Sequence, residues 1–108
     1  GKLEALRTAD VKLAMKDIYD AANRYDFERG AWPYTLNELV DKGYYTLDEE
    51  LDRHWTLYMQ GNKSIRAIST YEMPGGKGKT ITYDIETDTF TGYGCPEEGE
   101  RGYFESSY

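Results

Sequence analysis

One cysteine, one histidine, three prolines and no long apolar run: the chain is poor in the residues from which most small proteins build bridges, metal sites and membrane spans. A lone Cys95 rules out an intrachain disulfide, so the 108 residues must hold together through their core. The longest uninterrupted apolar stretches are three residues, such as Leu13-Ala14-Met15. A bilayer span needs about 20 consecutive apolar residues, so nothing in this sequence crosses one as a helix. Basic residues are also scarce, 13 against 20 acids, for a net charge of −7. Residues 84–108 hold Asp84, Glu86, Asp88, Glu97, Glu98, Glu100 and Glu105 against Arg101 alone. That acidic quarter repels phosphate backbones, and with no basic stripe elsewhere it argues against nucleic-acid binding.

Large side chains are plentiful. Eleven tyrosines, three phenylalanines and two tryptophans supply enough burial for one folded domain of ordinary size. Val11, Ala14, Met15, Ile18, Ala21, Ala22 and Tyr25 recur every three or four residues and predict a long amphipathic helix over residues 1–29. Leu3, Leu6 and Leu13 are read as widening its apolar face, with Lys12, Lys16, Asp20 and Arg24 opposite. The helix opens without a capping side chain, an expectation of further turns upstream of Gly1.

Gly30 ends this segment, and Pro33 pushes Trp32 towards extended backbone. Residues 30–54 read as a loop with short helices. Thr35-Leu36-Asn37-Glu38 matches a capping box, and Thr46-Leu47-Asp48-Glu49 repeats it. Trp32 is expected to wedge this loop against the first helix. Over residues 55–94 the pattern turns to strands: 55–59, 64–70, 80–85 and 89–93, separated by Gly-rich turns. Ile81, Tyr83 and Ile85 alternate with polar neighbours. The expected architecture is α+β, one long helix packed on an antiparallel sheet of about four strands. Residues 95–108 form an acidic tail, either disordered or docking Tyr103, Phe104 and Tyr108 as an aromatic hook.

The inventory for catalysis is thin. His54 and Cys95 are the one conceivable dyad, and no motif links them. The chain is therefore read as a non-enzyme. Asp84, Glu86 and Asp88 copy the first ligand positions of a calcium loop, but Thr89 stands where that loop requires glycine and Cys95 where it requires glutamate. The expected cofactor is none, with a looser calcium site on Asp84, Glu86, Asp88, Glu97 and Glu98 as the one metal alternative. Asp48-Glu49-Glu50 fits the positive end of a short helix. The tyrosines suit half-buried strand positions, and an aromatic sheet face able to bind glycan or peptide is the alternative function.

Ala21-Ala22-Asn23-Arg24-Tyr25, followed by Gly30-Ala31-Trp32-Pro33-Tyr34-Thr35-Leu36-Asn37-Glu38-Leu39, resembles the globular domains of type IV pilins and type II secretion pseudopilins. In that pattern a long helix ends near a tyrosine, and a Gly-x-aromatic-Pro loop leads into a small helix. The resemblance makes Tyr25, Trp32, Pro33, Thr35 and Glu38 the structural residues of the junction. Lacking a cysteine partner, Cys95 cannot form the C-terminal bridge of many pilins, as is common among pseudopilins. Leu51-Asp52-Arg53-His54-Trp55 stands where pseudopilins carry Asp-Pro-Trp-Gly, here without the Pro and Gly. The likeness implies a filament subunit whose hydrophobic N-terminal helix lies upstream in the membrane or filament core, with this domain on the outside. Partners would be other pilin-like subunits, the location the bacterial inner membrane and periplasm or a surface filament, and the isolated domain a monomer.

Overall fold

The computed structural model describes residues 1–102. Helix α1 (Lys2–Arg29) runs unbroken for 28 residues, about 42 Å at 1.5 Å per residue. It stops at Gly30, whose φ of 77° is the left-handed C-cap that glycine adopts without penalty, and whose amide donates to the Asp26 carbonyl. Helices α2 (Leu36–Asp41) and α3 (Glu49–His54) follow, each a turn and a half.

Strands β1 (Trp55–Gln60), β2 (Ser64–Ser69), β3 (Thr80–Asp84), β4 (Thr89–Gly92) and β5 (Glu100–Arg101) pair antiparallel in chain order. The expected α+β arrangement holds, with five strands rather than four. The fifth comes from the segment read as tail, too short and too polar to signal itself by alternation. The proposed hook residues Tyr103, Phe104 and Tyr108 lie outside the described residues.

Register explains the core. Ile65, Tyr83 and Phe90 stand side by side on β2, β3 and β4, and Ala67 sits opposite Ile81. All five are fully or almost fully buried, together with Trp55 from β1. Against this face α1 lays Val11, Met15, Ile18, Ala22 and Tyr25, recurring at the helical period. Glu100 extends the Ile65–Tyr83–Phe90 row by pairing with Phe90, so its side chain emerges on the helix side of the sheet.

The helix phase departs from expectation in two ways. Leu3, Leu6 and Leu13 are exposed, not part of the apolar face. Lys12, expected in solvent, is buried beside Thr8 and Met15. The inward residues set the phase, and Lys12 falls on the edge of that arc, where its four-carbon stem lies along the sheet and its ammonium reaches polar partners. The second capping motif is also shifted. Asp48, not Thr46, caps α3, its Oδ1 accepting from the amides of Glu50 at 3.0 Å and Leu51 at 3.1 Å. No helix among the described residues is long and apolar enough to cross a membrane.

Candidate functional site

The junction between α1 and the sheet gathers the residues singled out above. Tyr25, on the last inward turn of α1, donates its phenol proton to Glu38 Oε2 at 2.8 Å. Glu38 Oε1 accepts from the Tyr34 amide at 2.7 Å, and the Glu38 amide donates to Thr35 Oγ1 at 3.2 Å. Thr35 therefore caps α2 as expected, while the Glu38 carboxylate reaches one residue beyond the cap, to Tyr34, and ties the helix start back to the first helix. The Tyr25 hydrogen bond, then the Tyr34 amide, hold the Glu38 carboxyl below its ordinary range. A carboxylate with a depressed folded pKa adds stability above its unfolded pKa of about 4.3, and that stability is lost as pH falls through the folded value. Glu38→Gln should therefore lower stability at neutral and alkaline pH, where the carboxylate's contribution is fully present, and flatten the acid limb below about pH 4.5 so that the two curves converge there, as denaturant melts across pH would show.

Trp32 bridges two elements. Its ring lies 6.3 Å from that of Tyr19 on α1, and its Nε1 donates to the Gly61 carbonyl in the β1–β2 turn at 2.9 Å. Pro33 beside it is fully buried. The expected wedge against α1 is present, with the indole partly buried against the core and a hydrogen bond to the far hairpin that sequence did not signal. Trp32→Ala should cost about 2 kcal/mol, less than a fully buried tryptophan, and lower the melting temperature by roughly 10 °C. Trp32→Phe, which keeps the ring contact and loses the Gly61 bond, should fall between; thermal melts followed by circular dichroism check both.

A second junction, which sequence reasoning missed, joins the first half of α1 to residues 94–100. Lys12 Nζ donates to the Gly94 carbonyl at 2.8 Å and to Glu100 Oε1 at 2.7 Å. Gly94, at φ 76°, lies directly against Thr8 and the Glu4 carbonyl of α1. Cys95 is half-buried at this junction, and burial pushes its thiol above the ordinary cysteine range. The available signal was the reading-frame position of Glu100 opposite a strand core, visible only once β5 is recognised.

The acidic residues considered for calcium scatter. Asp84 is exposed, its Oδ1 accepting from the Thr87 amide at 3.0 Å. Glu86, Glu97 and Glu98 are exposed. Asp88 points inward, away from these acids, almost fully buried at φ 55°, and accepts from the Tyr83 phenol at 2.6 Å. A turn residue in the left-handed region leaves the alternation of the strand behind it, and aspartate tolerates that region. Among the described residues, no three His, Cys, Asp or Glu side chains are placed to hold a metal ion.

His54 and Cys95 are not brought together either. His54 precedes β1 at one side of the sheet, whereas Cys95 follows β4, three strand spacings or about 14 Å across. The strand aromatics Trp55, Tyr83 and Phe90 face the helix and are buried. On the opposite face of the described sheet Tyr58 is the one aromatic, flanked across the strands by Arg66 and Thr82. The aromatic sheet face needed by a glycan- or peptide-binding module is therefore not assembled among the described residues.

Comparison of the chain with protein-family models, with curated proteins and with solved structures found no match.

Proposed function

We propose that this chain is the globular domain of a pilin-like filament subunit, of the type IV pilus or type II secretion pseudopilus class. The observation that supports this reading most is the α1 junction. A single 28-residue helix runs the length of an antiparallel meander and is pinned at its C-terminal end by Tyr25–Glu38 and by the Trp32–Pro33 loop. In this reading a hydrophobic helix continuous with α1 bundles with those of neighbouring subunits, and the sheet faces outward. The work is structural. The domain supplies a rigid body on a stiff helix, and the residues that matter are those that fix the two relative to each other. Its setting is extracytoplasmic, on a bacterial inner membrane or a surface filament, with other pilin-like subunits as partners.

The deciding experiment is the N-terminal sequence and intact mass of the mature protein isolated from its native source. The reading requires about 20 apolar residues running into Lys2 after removal of a short basic leader. A conventional secretory cleavage just before Leu3 overturns it. The isolated domain should sediment as a monomer at micromolar concentration.

A further inference from the structure

Four large apolar side chains of α1 stand in solvent: Leu3, Leu6, Leu13 and Phe27, at 54%, 74%, 61% and 92% exposure. Stepping alternately three and four residues from Leu3 gives positions 3, 6, 10, 13, 17, 20, 24 and 27, occupied by Leu3, Leu6, Asp10, Leu13, Asp17, Asp20, Arg24 and Phe27. All eight are exposed, and every exposed large apolar residue of the helix is among them. Alternating steps of three and four are the spacing of a helix that packs along another helix. This seam is separate from the Val11, Met15, Ile18 and Ala22 face that covers the sheet. The helix thus carries two packing faces, and the domain covers one.

The charges on the seam say what would cover the other. It holds three aspartates and one arginine, and Arg24 donates to the Tyr44 carbonyl at 2.9 Å. Beside Leu13 the seam opens into a cleft of about 340 Å³ whose floor is Ala14 and Leu51 and whose rim adds Asp48 and Glu50, with no basic side chain in its lining. Of the bordering lysines, Lys16 is turned over the Phe90 ring at 6.0 Å, and Lys2 lies at the first turn. A second copy of the chain fits badly. In a parallel pair Asp10, Asp17 and Asp20 meet themselves. In an antiparallel pair that places Leu3 on Phe27, Asp10 meets Asp20 and Leu13 meets Asp17. Like charges in a closing interface are costly, and a net charge of −7 on each copy adds repulsion.

We infer that this seam docks an amphipathic helix of a different protein, with apolar residues facing Leu3, Leu6, Leu13 and Phe27 and lysine or arginine facing Asp10, Asp17 and Asp20. The inference does not rest on the filament reading. It concerns a face of the folded domain, whatever precedes residue 1.

The probe is a synthetic helical peptide with leucine at the four facing apolar positions, lysine opposite the three aspartates and glutamate opposite Arg24, made in both chain directions. Its control carries glutamate in place of the three lysines. Titrated into isotope-labelled protein, the lysine peptide should shift amide resonances along the exposed side of α1 and in residues 45–50. The control should bind about tenfold more weakly or worse. The triple variant Asp10→Lys, Asp17→Lys, Asp20→Lys changes only exposed positions, so its melt should match the parent, and it should reverse the preference between peptides. The inference fails if neither direction of the lysine peptide binds, if both charge forms bind alike, or if the shifts map to the sheet. It also fails if sedimentation shows the domain pairing with itself and Leu13→Ser abolishes the pairing.

Discussion

Gly94→Val should lower the free energy of unfolding by about 3–5 kcal/mol, a drop of roughly 15–30 °C in melting temperature for a domain of this size. Two costs add. A Cβ at residue 94 would stand 2.5 Å from Thr8 Oγ1, 2.7 Å from Thr8 Cγ2 and 2.8 Å from the Glu4 carbonyl oxygen. Thr8 is fully buried and its hydroxyl donates to that same carbonyl at 2.9 Å, so neither neighbour can swing aside. The backbone at φ 76° is also unfavourable for a branched residue, by about 1–2 kcal/mol. Any retreat of the loop would carry the Gly94 carbonyl away from Lys12, whose ammonium then loses one of its two partners in a buried setting. Gly43→Ala is the matched control. Its φ is 80° and nothing lies within 4 Å of the added carbon, so only the backbone term of about 1 kcal/mol should appear in urea melts.

Asp88→Ala should cost about 2–4 kcal/mol by the same measurement. The substitution removes the acceptor 2.6 Å from the Tyr83 hydroxyl, and Tyr83 is 1% exposed, so water cannot easily replace the carboxylate. It also asks alanine to hold φ 55°. Gly102 closes the pocket from above, its amide donating to the Asp88 carbonyl at 2.9 Å, and a Cβ there would sit 2.3 Å from Asp88 Oδ1. Asp88→Asn keeps an acceptor and the tolerance for left-handed backbone, and should cost clearly less than alanine. Burial first, and the Asp88 hydrogen bond second, push the Tyr83 phenol well above the usual tyrosine pKa. A phenol raised in the folded state adds stability below its unfolded pKa of about 10, and that stability is lost as pH rises towards the folded value. Stability should accordingly fall as pH rises above about 10, because the unfolded chain releases the Tyr83 proton that the folded chain retains, and denaturant melts across the alkaline range would show it.

The two variants touch features that differ in how visible they were beforehand. The long helix, the Thr35 cap, the Trp32–Pro33 junction and four strands follow from local rules: period, capping chemistry and turn residues act within a few positions. What escaped depends on phase and on distance along the chain. Leu3, Leu6 and Leu13 are apolar, and hydrophobicity alone cannot say which of two helix faces meets the sheet; Val11, Ile18, Ala22 and Tyr25 decide that. Lys12 is charged, yet its stem suits a half-sheltered edge and its partner Glu100 lies 88 residues away. Asp88 reads as one more exposed acid until its backbone turns left-handed. At α3, Thr46 and Asp48 are both good caps, and the choice falls to where the chain enters from Tyr44 and Tyr45, whose amides donate to the Leu39 carbonyl. The junction through Gly94 was invisible because its partner Lys12 lies 82 positions away, and Glu100 joins it only after β5 pairs with β4.

That late pairing bears on how the domain is made. Every strand neighbours the next in the chain, so the sheet can grow hairpin by hairpin with little loop entropy to overcome. The helix is different. It precedes in the chain every strand that it covers, and the row it packs on is complete only when Phe90 has joined Ile65 and Tyr83, with Glu100 and Gly102 later still. Synthesised in chain order, α1 therefore waits with part of its sheet-covering face bare, and Lys12 gains its Glu100 partner only when β5 pairs with β4.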